Sequence, residues 1–168
     1  MLQSGNTVPN FSQQSSQGKI DFYDWAEDSW VVFFSYPADY TLCTTELASV
    51  AKLKPEFDKR GVKVIALSVN DRECHQGWID EIEKTQHTTV DYPIVADVDK
   101  SVSDLYGMIH PDAKKAIVRI VSIVDPQKKV RLTISDPPPS ECNFKEFSSE
   151  RNFQDILRVI ESLQSTDN

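Results

Sequence analysis

The chain has 168 residues, of which 39% are hydrophobic and 26% are charged, an ordinary composition for one globular domain. Its 26 acidic and 18 basic side chains give a formal net charge of −8, which argues against binding to nucleic acid or to an anionic membrane. No apolar run approaches the roughly 20 residues of a membrane span, and the N-terminus lacks the pattern of a signal peptide. We therefore expect a cytoplasmic protein that forms a single domain over residues 1–168.

The first third of the chain carries signals for two strands and a helix. After a polar N-terminal stretch, Ile20 and Phe22 alternate with charged residues and predict a short strand. The uninterrupted apolar run 31–34 predicts a strand that is buried on both faces. Apolar residues at helical spacing then predict an amphipathic helix: Leu47, Val50, Leu53 and Phe57. We expect Pro55 to kink or end this helix, because proline removes a backbone hydrogen bond.

The middle of the chain continues the alternation. Residues 62–69 predict a strand, and Asn70 or Asp71 can cap a helix that runs to about Lys84. Three residues share one stripe of this helix at four-residue spacing: Cys74, Trp78 and Ile82. A cysteine on such a stripe is more often part of the core than a reactive group.

The last part predicts a short strand at 93–96, a helix capped by Asp99 or Ser101, and a hairpin formed by 117–124 and 130–134. A final amphipathic helix carries Phe153, Ile156, Leu157, Ile160 and Leu163. Strands that alternate with helices, together with one hairpin, predict an α/β fold in which helices flank a central sheet.

Residues 136–150 form the least regular stretch, because three consecutive prolines forbid a helix and disfavour a central strand. We expect a surface insertion here, and it contains Cys142. The chain has two other cysteines, Cys43 and Cys74, and no CxxC pair, which weakens a dithiol-exchange interpretation. The histidines do not fall at metal-ligand spacing with the cysteines, so we expect neither a metal nor a cofactor.

Cys43 stands where the polar loop after the buried strand gives way to the helical pattern. A thiol in the first turn of a helix faces unpaired backbone N–H groups and the positive end of the helix dipole, which favour the nucleophilic thiolate. Composition alone favours the alternative of a buried, unreactive cysteine. The residues around Cys43 decide between these interpretations.

The string PADYTLCTTEL resembles the active-site loop of the peroxiredoxins, especially the one-cysteine, peroxiredoxin-six-like branch of the AhpC/TSA family. Further strings match the same branch along nearly the whole chain: TVPNF, KIDFYDW, VKVIALSV, YPIVAD and ILRVIESLQ. The resemblance implies a thioredoxin-like α/β fold with the peroxiredoxin additions and a central mixed β-sheet flanked by helices.

The resemblance assigns four catalytic residues. Cys43 is the peroxidatic cysteine, Pro37 shields the loop from water, and Thr41 hydrogen-bonds the thiolate and the peroxide. Arg119 matches the arginine that stabilises both charges. An arginine among β-branched apolar residues is costly without an anionic partner. The alternative for Arg119 is a side chain that reaches solvent from an edge strand.

The resemblance assigns three further residues to substrate binding: Thr44, Glu46 and Arg151. Glu46 can hydrogen-bond across the loop or bind an arginine, although a glutamate in the first turn is also favoured by the helix dipole alone. Arg151 matches a second arginine of the one-cysteine branch. Its alternative is an exposed basic residue near the start of a helix.

The implied function is a thiol-dependent peroxidase that reduces hydrogen peroxide or small alkyl hydroperoxides. Cys43 becomes a sulfenic acid and is reduced by an external thiol such as glutathione, and the family pattern implies a homodimer. A resolving role for Cys142 remains an alternative.

Two departures from the family pattern favour another function. The stretch from Pro37 to Cys43 is one residue shorter than the family pattern, and the chain ends at Asn168, before the branch's usual C-terminal domain. A peroxiredoxin-derived interaction or chaperone-like module is therefore the alternative function.

Overall fold

The computed structural model describes residues 2–36, 44–109, 119–135 and 153–166, with only the backbone of Thr44 and Thr45. These residues form strands β1 (Ser12–Ser15), β2 (Gly18–Asp21), β3 (Trp30–Ser35), β4 (Val62–Ser68), β5 (Ile94–Ala96), β6 (Ile120–Val124) and β7 (Val130–Ser135). They also form helices α1 (Phe22–Ala26), α2 (Thr44–Lys59), α3 (Arg72–Gln86), α4 (Ser101–Leu105) and α5 (Phe153–Thr166). None of the helices in these ranges is long and apolar enough to cross a membrane.

The strands form one mixed sheet in the order β2-β1-β5-β4-β3-β6-β7. The central strands β5, β4 and β3 run parallel to one another, while β6 and β7 form an antiparallel hairpin that pairs with β3. This hairpin confirms the prediction from the two β-rich runs, and the mixed sheet confirms the α/β class. The predicted insertion at 136–150 lies outside the described residues.

Alternate residues of β3 face two separate hydrophobic cores. Val32 and Phe34 pack in the core beneath α2, α3 and α5, while Val31 and Phe33 pack in the core beneath α1, α4 and the N-terminal segment. Every residue of β3 is buried. The uninterrupted apolar run of the sequence is explained by this position, since a strand with both faces covered needs apolar residues at every position.

Helix α3 begins as the sequence predicts. Asp71 is the N-cap, and its carboxylate accepts a hydrogen bond from the Cys74 amide at 2.8 Å. The predicted stripe is correct for Trp78 and Ile82, which are buried, but Cys74 is only half-buried. The first turn instead buries His75, whose Nε2 lies 3.2 Å from the Val95 carbonyl oxygen.

Helix α2 continues through Pro55 to Lys59, so the proline does not end the helix at its own position, and the predicted kink stays a prediction. Phe57, beyond the proline, is completely buried in the core under α2. Burial of this face offsets the loss of one backbone hydrogen bond. The chain then leaves the helix through Gly61, which adopts a left-handed φ of 66°.

The prediction that Asp99 or Ser101 is the N-cap of α4 is wrong. The N-cap residue is Lys100, whose side chain makes no capping hydrogen bond. The buried carboxylate of Asp97 accepts bonds from the amides of Val102 at 3.1 Å and Ser103 at 2.8 Å. A residue that directly follows β5 therefore accepts the hydrogen bonds of two amides in the first turn of α4 that have no partner within the helix.

The C-terminal helix α5 confirms the amphipathic pattern. Its buried residues are Phe153, Ile156, Leu157 and Ile160. They join the core that also contains α2 and α3, so α5 covers the same face of the sheet as these two helices.

Candidate active site

Three elements begin or end at the same edge of the sheet, which here means the edge formed by the ends of the strands and not an outer strand. Strand β3 ends at Ser35, and α2 begins at Thr44 on the face above it. Strand β6 runs antiparallel to β3, with Phe34 opposite Val121, so β6 begins beside the last residues of β3. Arg119, which directly precedes β6, is thereby brought to the edge where α2 starts.

Arg119 and Glu46 form a buried ion pair at this edge. The Nη2 of Arg119 lies 2.8 Å from Oε2 of Glu46, and the two side chains are only 6% and 1% exposed. The interpretation of Arg119 as an edge-strand residue that reaches solvent is wrong, because β6 lies between β3 and β7. Glu46 supplies the anionic partner that a buried guanidinium requires.

A serine side chain continues the pairing of β3 with β6 up to Arg119. The hydroxyl oxygen of Ser35 accepts a hydrogen bond from the amide of Ile120 at 3.1 Å. Ser35 is completely buried, so this bond is shielded from water. The residue after Arg119 is therefore fixed to the end of β3.

Aromatic side chains pack against one another at the same end of β3. Tyr36 is completely buried, and its ring centroid lies 5.3 Å from that of Trp78 on α3. Phe34 packs edge-on against Phe153, the first residue of α5, with centroids 5.1 Å apart. These contacts bury the last residues of β3 and bring the start of α5 towards this end of β3.

The sequence matches the family model described as the AhpC/TSA family over residues 4–133. The chain belongs to the AhpC/TSA family. It is 47% identical over 168 residues to a 1-Cys peroxiredoxin of Dictyostelium discoideum, covering 99% of this chain and 66% of that protein. It is 40% identical over 172 residues to peroxiredoxin-6 of Gallus gallus, covering 96% of this chain and 73% of that protein. The predicted resemblance to the one-cysteine branch is confirmed.

Solved structures of this family confirm the thioredoxin-like fold. A yeast mitochondrial 1-Cys peroxiredoxin superposes with a TM-score of 0.88 at 43% identity, over 99% of this chain and 78% of that one. Peroxiredoxin 6 of Arenicola marina gives 0.88 at 38% identity, over 100% of this chain and 76% of that one. The chain spans slightly less than two thirds of the Dictyostelium relative and 64% of the mitochondrial peroxiredoxin of Saccharomyces cerevisiae.

The described part of this AhpC/TSA chain contains two of the predicted site side chains, Glu46 and Arg119, and brings them into contact. Thr44 is the first residue of α2, but its side chain lies outside the described residues. The remaining predicted residues lie outside the described residues: Pro37, Thr41, Cys43 and Arg151, together with Cys142. Within the described ranges, no group of three or more histidine, cysteine or acidic side chains could hold a metal ion.

Sequence reasoning missed two polar residues that support this edge, Ser35 and Tyr92. Tyr92 is completely buried, and its hydroxyl donates a hydrogen bond to the Leu47 carbonyl in α2 at 2.8 Å. Burial raises the pKa of the Tyr92 phenol well above its usual range, and the nearby charge of Glu46 raises it further. The only sequence signal was a hydroxyl group at the end of one apolar run, for Ser35, and at the start of another, for Tyr92. Such a signal does not identify the hydrogen-bond partner of either residue.

Proposed function

We propose that the protein is a thiol-dependent peroxidase in which Cys43 reduces hydrogen peroxide or a small alkyl hydroperoxide. The thiolate attacks one peroxide oxygen, so that an S–O bond forms as the O–O bond breaks. The departing oxygen takes a proton from solvent and leaves as water or an alcohol. The sulfur is oxidised by two electrons to a sulfenic acid.

The observation that carries this proposal is the buried ion pair of Arg119 with Glu46 at the start of α2. Negative charge is present on the thiolate before the attack and develops on the departing oxygen during it. A guanidinium that is held in a water-excluded position stabilises such charge strongly, because it needs no reorganisation when the reaction occurs. Glu46 holds Arg119 in place through the ion pair at 2.8 Å, and the guanidinium balances the charge of the Glu46 carboxylate.

The start of α2 supports the same chemistry. Cys43 precedes Thr44, the first residue of the helix, in the sequence. The free N–H groups of the first turn and the positive end of the dipole favour an anion at that position. We propose Pro37, Thr41, Thr44 and Arg151 as the further residues that enclose and bind the peroxide, as the family resemblance implies.

An external thiol completes the proposed cycle. Two thiols of the glutathione type return the sulfenic acid to the thiol, with release of water and formation of one disulfide. The yeast mitochondrial 1-Cys peroxiredoxin is described as resolved through glutathione and thioredoxin systems, which supports this class of reductant. A homodimer in the cytoplasm remains part of the proposal and is tested by light scattering and by fractionation.

The test is the stopped-flow rate of Cys43 oxidation by hydrogen peroxide. A Cys74→Ser/Cys142→Ser background leaves Cys43 as the only thiol, and Cys43→Ser in the wild-type chain reports the contribution of the other two. We expect a rate orders of magnitude above that of free cysteine, together with a sulfenic acid that dimedone traps and glutathione reduces.

A second function is favoured by the shortened stretch between Pro37 and Cys43, because a misplacement of about 1 Å can cost ~100-fold in rate. If Cys43 reacts no faster than free cysteine in a folded chain, the peroxidase proposal is wrong. The interaction or chaperone-like module is then the better description, and suppression of aggregation of an unfolding client protein becomes the assay.

A further inference from the structure

Tyr92 links the approach to β5 with the first turn of α2. Its hydroxyl donates to the Leu47 carbonyl oxygen at 2.8 Å, across 45 positions of sequence. Its ring packs against Phe34 of β3 with centroids 6.1 Å apart and an interplanar angle of 59°. The side chain is completely buried, so its orientation is set by the core and not by solvent.

The bond to Leu47 is additional to those that the helix itself requires. In an α-helix the carbonyl of residue 47 accepts from the amide of residue 51, and a carbonyl oxygen has a second lone pair. The phenol therefore adds a constraint to a turn that is already hydrogen-bonded. A phenylalanine at the same position would place the same ring in the core, so packing of the ring does not require the hydroxyl.

The constrained turn is the one that carries the ion pair. Glu46 directly precedes Leu47, and its carboxylate is 2.8 Å from Arg119. The phenol keeps its proton at any working pH, because burial and the charge of Glu46 both raise its pKa. Tyr92 therefore acts as a neutral hydrogen-bond donor to the turn that carries Glu46.

We propose that Tyr92 is a positioning residue for the peroxide reaction. Its hydroxyl fixes the first turn of α2, and thereby the Glu46 carboxylate against Arg119 and the start of the helix that follows Cys43. This inference rests on the proposed peroxidase function. Its expected signature is selective: attack on peroxide uses the aligned guanidinium for both the thiolate and the departing oxygen, whereas alkylation uses it for the thiolate alone, so a misaligned guanidinium slows the peroxide reaction more.

The test compares Tyr92→Phe with Tyr106→Phe. Tyr106 is a matched control, since its side chain is also buried and its hydroxyl donates to a backbone carbonyl, that of Pro9, at 2.7 Å. Tyr106 belongs to the core on the opposite face of the sheet, away from α2. Both variants lose one hydrogen bond and one oxygen atom. The bond of Tyr92 is buried and that of Tyr106 is partly buried, so we expect the melting temperature to fall in both variants, and no more in Tyr106→Phe than in Tyr92→Phe.

Two rates of Cys43 are measured in each variant, oxidation by hydrogen peroxide and alkylation by iodoacetamide. We expect Tyr92→Phe to lower the peroxide rate about 10- to 100-fold with less than about a threefold change in alkylation, the scale of a misplacement near 1 Å. We expect Tyr106→Phe to change neither rate by more than about threefold. A selective loss of the peroxide rate in Tyr92→Phe alone supports the proposal.

Three outcomes overturn it. Equal peroxide rates in the two variants show that the Tyr92 hydroxyl is only structural. A parallel loss of both rates in Tyr92→Phe shows a general loosening of the thiol site. A wild-type peroxide rate no higher than that of free cysteine overturns the peroxidase proposal itself, and this one with it. If Tyr92→Phe does not fold, 4-fluorophenylalanine at position 92 fills the space of the hydroxyl without donating, and the same comparison applies.

Discussion

The guanidinium of Arg119 lies 2.8 Å from the carboxylate of Glu46, although 73 positions of sequence separate the two residues. One residue precedes an inner strand and the other lies in the first turn of a helix, so only the folded sheet brings them together. Because both side chains are almost completely withdrawn from water, each depends on the other for its charge to be tolerated. Loss of either charge should therefore lower the stability of the fold and also change the charge of the candidate site.

Removal of one member of this pair should be strongly destabilising. We expect Glu46→Gln or Arg119→Met to lower the free energy of unfolding by about 3–5 kcal/mol, because each leaves an uncompensated buried charge. Urea unfolding followed by circular dichroism measures the loss. The control is the exposed pair Asp155–Arg158, with side chains 59% and 75% exposed, where Asp155→Asn should cost about 0–1 kcal/mol. Equal losses at the two pairs would contradict the prediction.

The sequence allowed the prediction of those features whose cause is local or repeated. Strand β3 was predictable because its run of apolar residues reports burial on both faces. Helix α5 was predictable from its periodic apolar residues, and Asp71 from the capping preference of aspartate. Arg119 was predictable because a cation among β-branched residues requires a partner. Glu46 was predicted to bind an arginine or to bond across the loop, and the sequence did not decide between these two roles.

The features that sequence reasoning missed depend on contacts between distant segments. Strand β1 consists of Ser and Gln residues without an apolar pattern, and it exists because β2 and β5 pair with it. Pro55 remains within α2 because tertiary packing outweighs the missing backbone bond. Asp97 caps α4 from the end of β5, a position that no local capping rule identifies.

The buried phenols of Tyr92 and Tyr106 should make the fold sensitive to alkali. Burial raises the pKa of each phenol above its ordinary value of about 10. A raised pKa in the folded state means that the unfolded phenol loses its proton first. The associated stability is therefore present in full below pH of about 10 and is lost progressively as the pH rises above it. The free energy of unfolding should fall by up to about 1.4 kcal/mol per pH unit for each phenol in this range.

Urea unfolding between pH 9 and about 11 measures this slope. Tyr92→Phe and Tyr106→Phe should each make the slope shallower, and the double variant shallower still, because each removes one titrating phenol. All other titrating groups are unchanged and serve as an internal control. Identical slopes in the wild type and the double variant would show that these phenols ionise equally easily in the folded and unfolded chain.

The Ser35 hydroxyl should contribute to both stability and reactivity. In Ser35→Ala the buried amide of Ile120 loses its acceptor at 3.1 Å, and we expect a loss of about 1–3 kcal/mol in the free energy of unfolding. Because Ile120 follows Arg119, the peroxide rate should fall as well. Ser122→Ala is the control, since Ser122 is also buried on β6 and, within the described residues, its hydroxyl holds no backbone amide. If both serines prove equally dispensable, the Ser35 bond does not fix Arg119.

The capping role of Asp97 leads to the last prediction. Its carboxylate accepts bonds from the Ser103 amide at 2.8 Å, the Ser103 hydroxyl at 2.6 Å and the Val102 amide at 3.1 Å. In Asp97→Asn, the new NH₂ group must face some of these donors, so we expect a loss of about 3 kcal/mol or more in the free energy of unfolding. Faster hydrogen exchange at the α4 amides should accompany it.

Asp99→Asn is the matched change two residues away. Asp99 is exposed and accepts a bond from the Ser101 amide at 3.1 Å, and its hydrogen bonds with Ser101 lower the pKa of its carboxyl group. Since an asparagine carbonyl accepts the same bond, this change should cost less than about 1 kcal/mol and leave exchange in α4 unchanged. A greater loss at position 99 than at position 97 would mean that the exposed carboxylate, and not the buried one, holds the first turn of α4.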